Sequence, residues 1–145
     1  MFSLIDGIYL EDSGKLLRWG CSRKEALSIG RPIDIDNPRV KWREKILDGQ
    51  PCDLVVDLAD DGVFDEARAL LHGTMPYPDG FLLYRTLSDQ FTKKIGRRPS
   101  TEPAGKYDEA PILIWQHDGC ILKLTVWDAG QQGGPATDLL ISKKK

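Results

Sequence analysis

One helix ending is written twice in this chain, and it limits the possible folds more than any other feature. "SRKEALSIGRP" runs from Ser22 to Pro32, and "SDQFTKKIGRRP" runs from Ser88 to Pro99. Each has a serine eight positions before a glycine, an isoleucine directly before that glycine and a proline soon after. Gly30 and Gly96 can take the left-handed conformation that stops a helix, and the prolines prevent its resumption. Ser22 with Glu25 reads as a capping box at the start of the first helix. The match continues beyond the helices. A polar connection leads to a tryptophan (Trp42, Trp115), then to Asp-Gly (Asp48-Gly49, Asp118-Gly119). A cysteine (Cys52, Cys120) follows and opens an apolar strand. The glycines stand 66 residues apart and the cysteines 68. Repeated spacing of this kind predicts an internal repeat, with units at about residues 20–72 and 80–142.

The rest of the chain supplies the strands. "GIYL" and "KLLRW" flank the turn "EDSG" and predict an N-terminal hairpin within residues 2–19. "RPIDIDNPRVKW" reads as a polar connection that ends in a half-buried strand at Val40 and Trp42. "CDLVVDL" is the clearest strand of the first half. "VFDEARALLHG", within residues 63–73, fits a helical stripe or a strand. The short "DG" turn before it favours strand. "FLLYRTLSDQFTKKIG" predicts a helix closed by Gly96. "ILIWQ", "CILKLTVWD" and "DLLIS" predict three strands after the proline-rich polar segment 97–111.

Together these readings predict an α+β fold. Two tandem units, each a helix on an antiparallel meander, would set their strands side by side in one sheet and share one core. The length fits a single domain, residues 1–145. Apolar residues make up 41% of the chain, enough for such a core, and charged residues 29%. A net charge of −2 gives no basic excess, so nucleic acid is not an expected partner. No signal peptide and no membrane-length apolar run is apparent, and a cytoplasmic protein without a membrane partner is expected. Three cysteines without motif spacing predict reduced, buried thiols.

Candidate chemistry is sparse. No motif for a nucleotide, a metal or a nucleophile elbow appears, so no catalytic residue, cofactor or metal is expected. His117, Asp118 and Cys120 lie close enough to suggest a thiol–imidazole pair. "HDG" reads instead as a hairpin turn, with Cys120 opening a buried strand. The acids Asp57, Asp60, Asp61, Asp65 and Glu66 lack Ca²⁺-loop spacing and form a solvated turn or a patch for a basic partner. Tyr77, Arg97, Arg98, Tyr107 and Asp108 sit in or beside loops and are candidate interface residues.

"GCSRKEALSIGRP" from Gly20 to Pro32 carries a resemblance. So do the helix spacing of Phe81, Tyr84, Leu87, Phe91, Gly96 and Pro99 and the strand Ile121 to Val126. The chain resembles the small cytosolic immunity proteins of contact-dependent and type VI secretion toxin systems. Its tandem helix–meander units are similar to the β-lactamase-inhibitor-protein fold. The resemblance covers residues 7–142 and carries no catalytic residue. It implies a non-enzymatic protein that binds one cognate bacterial toxin and covers its active site. The alternatives are a small cysteine-dependent enzyme using Cys120 and His117, and a sheet-edge assembly or scaffold module.

Overall fold

The computed structural model describes residues 2–71, 80–128 and 135–144. An N-terminal hairpin, β1 (Gly7–Leu10) and β2 (Lys15–Arg18), leads into helix α1 (Arg23–Leu27). Four strands follow: β3 (Asp34–Asp36), β4 (Arg39–Ile46), β5 (Gln50–Asp57) and β6 (Glu66–Leu71). Helix α2 (Gly80–Ile95) precedes four more: β7 (Ser100–Glu102), β8 (Ile112–His117), β9 (Cys120–Asp128) and β10 (Pro135–Lys143). Apart from the two-stranded hairpin, the strands form one antiparallel sheet in the order β3-β4-β5-β6-β10-β9-β8-β7. The last strand of each meander therefore lies in the middle of the sheet, β6 against β10, and the first lies at an edge. The fold is α+β with a dominant antiparallel sheet.

Alternation along the strands decides which face is buried. On β4 the inward residues are Val40, Trp42, Glu44 and Ile46, and the outward ones carry charge. The inward rows continue through Leu54, Ala69, Leu139, Leu124 and Leu113, all paired in register. Leu4, Ile8, Leu10 and Leu17 from the N-terminal segment join this core, with Ala26 of α1 and Leu87 and Phe91 of α2. α2 packs on β9 and β10, and β1 packs on β4. Tyr84 fixes α2 from the side, its hydroxyl donating to the Pro111 carbonyl at 2.6 Å.

Buried polar groups tie the covering layer down. α1 is short, yet its capping box forms: Ser22 Oγ accepts from Glu25 N, and the Glu25 carboxylate accepts from Ser22 N. Arg23 is buried, and its Nη1 donates to the carbonyls of Pro38 (2.8 Å) and Leu58 (2.9 Å), clamping two turns of the sheet. Buried Glu44 accepts from Asp12 N at 2.9 Å and binds the Ser13 hydroxyl, which locks the β1–β2 turn onto β4. A carboxylate with two donors this close replaces the water it lost on burial.

The structure adds two strands to those expected. Residues within 31–42 and 97–111, read from the sequence partly as polar connections, contain β3 and β7. Every residue of both is exposed, so neither strand has the apolar alternation that reveals a strand in sequence. They form because each adds backbone hydrogen bonds to an existing neighbour, and short, polar edges also resist pairing with another chain. Residues 66–71 of the ambiguous segment are strand β6, and Gly80–Ile95 is helical as the spacing predicts.

Candidate functional site

Among the described residues, the helices and the hairpin pack on one side of the large sheet and leave the other side open. The open face can be read row by row from the register. One row runs Lys41, Val55, Arg68, Leu140, Lys123, Ile114 and Ser100, crossing from β4 to β7. The next begins Arg43, Asp53, Leu70, Asp138 and Thr125. Strand parity puts all of these side chains on one surface. No described helix packs on this face, though Asp53 within it is buried.

Two hollows open on this face, either side of Arg68 and Leu140. The first, about 370 Å³, lies against β5 and β6. It is bounded by Arg39, Lys41 and Arg68 and by Asp57, Asp65 and Glu66, over a floor that includes Val55 and Leu70. The second, about 430 Å³, lies over β9 and β10. Its walls include Tyr107, Trp127, Ile112, Asp108 and Asp138. A backbone bridge from Asp108 to Trp127 brings the loop that carries Tyr107 over this hollow. Tyr107 itself is 67% exposed.

The charges on the face are mostly engaged. Asp53 is buried between Lys41 Nζ (3.6 Å) and Arg43 Nε (3.1 Å). Lys123 Nζ lies 3.7 Å from Glu102. The Glu66 carboxylate accepts from the Ser142 hydroxyl at 3.0 Å. Asp138 accepts from the Trp127 indole at 2.9 Å. Burial pushes the Asp138 carboxyl above its usual range, while the Trp127 hydrogen bond and the nearby charge of Arg68 act the other way.

The residues singled out from sequence fall into separate places. Asp57, Asp65 and Glu66 line the first hollow, and Tyr107 and Asp108 line the second. Asp60 lies on the turn between β5 and β6 and pairs with Arg23 Nε at 3.6 Å, with its side chain 85% exposed. Asp61 is exposed on the same turn. Arg98 is exposed beyond the end of α2, and Arg97 lines a third hollow there, apart from the open face. Tyr77 lies outside the described residues. Arg68, Lys123, Trp127, Asp138 and Leu140 were not singled out. The period-two pattern of "EARALL" already puts Arg68 beside Glu66 and Leu70 once that segment is read as a strand.

The third hollow, about 370 Å³, holds the His117, Asp118 and Cys120 group. His117 Nε2 is 2.8 Å from the Phe2 carbonyl and 3.2 Å from Asp118 Oδ2. Asp118 also accepts from Leu4 N at 2.9 Å. The Cys120 thiol donates to the Leu4 carbonyl at 3.6 Å. Burial pushes this thiol up, with Asp118 adding to the effect and Lys143 opposing it. These contacts hold the N-terminal segment, and the raised thiol is opposite in direction to the lowered pKa that activates sulfur. Cys52 is pushed up to about 12 by burial, then by Asp53 and Glu44. All three cysteines are buried and free. Among the described residues, no three His, Cys, Asp or Glu side chains converge to hold a metal ion. Nor does any described helix have the length and apolar character to cross a membrane.

Comparison with protein-family models, with curated proteins and with solved structures finds no match to this chain.

Proposed function

We propose that the chain is a non-enzymatic binding protein of the toxin-immunity kind. It neutralises one cognate bacterial toxin in the cytoplasm by laying the open face of its sheet over the toxin's active site. The observation that carries this reading is the asymmetry of the sheet. One side is sealed by α1, α2 and the hairpin, while the other offers two hollows with aromatic and charged walls. Such a face suits recognition of a large surface. It is held rigidly by strands, so little ordering entropy is lost on binding, and it combines apolar floor with charged rim.

The two-unit reading of the chain supports the same use. α1 with β3–β6 and α2 with β7–β10 have the same element order, and their last strands meet at the centre. Trp42 and Trp115 occupy the second strand of each meander, and Cys52 and Cys120 the third. A duplicated unit joined in this way yields a sheet twice as wide as either unit alone, and width is what a covering surface needs. The acids Asp57, Asp65 and Glu66 at one end would meet the basic cleft of a toxin that acts on nucleic acid.

The test uses the secreted-toxin candidate encoded next to this chain's gene and measures binding by calorimetry. Leu140→Arg with Ile114→Arg on the open face should weaken binding by at least about a hundredfold, with an unchanged melting temperature. Arg85→Glu with Asp89→Lys on α2, away from that face, should leave it within about twofold. The reverse pattern would remove the reading.

A further inference from the structure

We infer that Arg68 is the recognition anchor of the open face, and that it takes a single carboxylate, an Asp or Glu flanked by apolar residues, from the partner protein. This rests on the docking-face reading above and specifies what the face recognises. Arg68 and its cross-strand neighbour Leu140 line both hollows, and Arg68 is the one charged residue that does. In its row the other two cations, Lys41 and Lys123, are paired with Asp53 and Glu102. Among the described residues, Arg68 has no hydrogen bond and no carboxylate within ion-pair distance. Asp138 feels its charge, but Oδ2 of that carboxylate is held by the Trp127 indole.

The neighbours of Arg68 explain why this cation would matter in a complex. Its cross-strand partners are Val55 on one side and Leu140 on the other. A guanidinium above an apolar floor becomes costly once a partner excludes water, unless a matching acceptor arrives with that partner. A carboxylate fits the guanidinium fork with two parallel hydrogen bonds. The apolar residues beside that carboxylate would enter the two hollows, one against Val55 and Leu70, the other against Tyr107 and Trp127.

The surroundings select one negative charge rather than a chain of phosphates. In the first hollow three acids face three cations, counting Arg68 (Asp57, Asp65 and Glu66 against Arg39, Lys41 and Arg68). In the second, Asp108 and Asp138 face Arg68 and Lys123. A dianionic phosphate centred on Arg68 would be repelled by these acids about twice as strongly as a monoanion there, and a nucleic-acid backbone would add further charge along the face.

The experiment selects a random dodecapeptide display library against the full chain. The best peptide is then titrated while amide, Trp127 indole and Arg68 Nε resonances are followed. Selected sequences should carry Asp or Glu next to apolar or aromatic residues. Changing that acid to its amide should weaken binding by about tenfold or more. Arg68→Gln should abolish the preference for acid, and Arg85→Gln, which removes the same charge from α2, should not. Selection without acid preference, or no peptide that binds saturably, would overturn the assignment. So would equal binding by the Arg68→Gln chain, or displacement of the peptide by inorganic phosphate at about a tenth of the acetate concentration needed. If Leu140→Arg blocks the peptide while Arg68→Gln does not, the docking face stands and the role of Arg68 falls. If the shifts lie on α2 instead, the docking face itself falls.

Discussion

The region α1 with β3–β6 and the region α2 with β7–β10 have the same order of elements but differ in how tightly matched positions are held. Trp42 on β4 is fully buried, and its indole donates to the Ile29 carbonyl at 2.8 Å, joining the end of the α1 segment to the sheet. Trp115 on β8 is also buried, but its indole nitrogen has no hydrogen-bond partner among the described residues. It meets Phe91 of α2 edge-on at 5.5 Å instead. The matched glycines diverge as well: Gly96 directly follows α2, whereas α1 is capped by Ser28, two residues before Gly30. A methyl group on Gly30 would lie 2.6 Å from the Ser13 hydroxyl, whereas one on Gly96 would have nothing within 4 Å. The short helix needs close polar ties to stay on the sheet, because five residues bury little. The 16-residue helix is held mainly by its apolar side, with single polar ties from Tyr84 and Lys94.

The tryptophans provide the largest expected contrast. Trp42→Phe creates a cavity and leaves the Ile29 carbonyl without its donor, and should cost about 3 kcal/mol. Trp115→Phe also leaves a cavity but removes a buried unpaired N–H, and should cost about 1 kcal/mol or less. Urea denaturation of both variants checks this, and equal losses would break the comparison.

The glycines should differ less. Gly30 has φ of 60° and Gly96 of 82°, so alanine at either carries left-handed strain of about 1 kcal/mol. Gly30→Ala must also push aside Ser13, which is bound to Glu44, and should reach about 2 kcal/mol. Gly96→Ala should stop at the strain alone. A matching pair of values would mean that the β1–β2 turn yields freely.

The smallest effect concerns the open face. Burial raises the Asp138 carboxyl in the folded chain, so the native state holds its proton more readily than the unfolded state. The stability tied to that proton is fully present below the unfolded pKa and is lost as pH rises through the folded one. Asp138→Asn keeps an oxygen for the Trp127 indole. It should therefore be slightly more stable than the parent at pH 7, with the gap closing as acid is added. If the indole bond outweighed burial, thermal melts across pH 3 to 7 would instead show the variant less stable than the parent at pH 7.

Local chemistry in the sequence accounts for much of this architecture. Ser22, Glu25 and Gly96 mark helix ends because caps and left-handed stops act within a few residues, whereas α1 stops at Ser28, two residues before Gly30. Cys52–Leu58 and Cys120–Asp128 mark strands by their apolar runs. β3 and β7 escape such reading because their reason for being strands is a neighbour's free edge. The candidate site was legible only in fragments. Asp57, Glu66, Tyr107 and Asp108 were marked by their loops and turns. Arg68 and Trp127 were not, because their place beside the hollows comes from residues on other strands.

By itself the amino-acid order determined where helices begin and stop, which segments are extended, and which alternate residues of each strand are apolar. Those are short-range matters of backbone sterics and side-chain solubility. Only the folded sheet decided that β6 and β10 lie side by side, which brings Arg68 next to Leu140 between two hollows. That neighbourhood depends on pairing between strands some seventy residues apart in the chain, and no local preference specifies such a register.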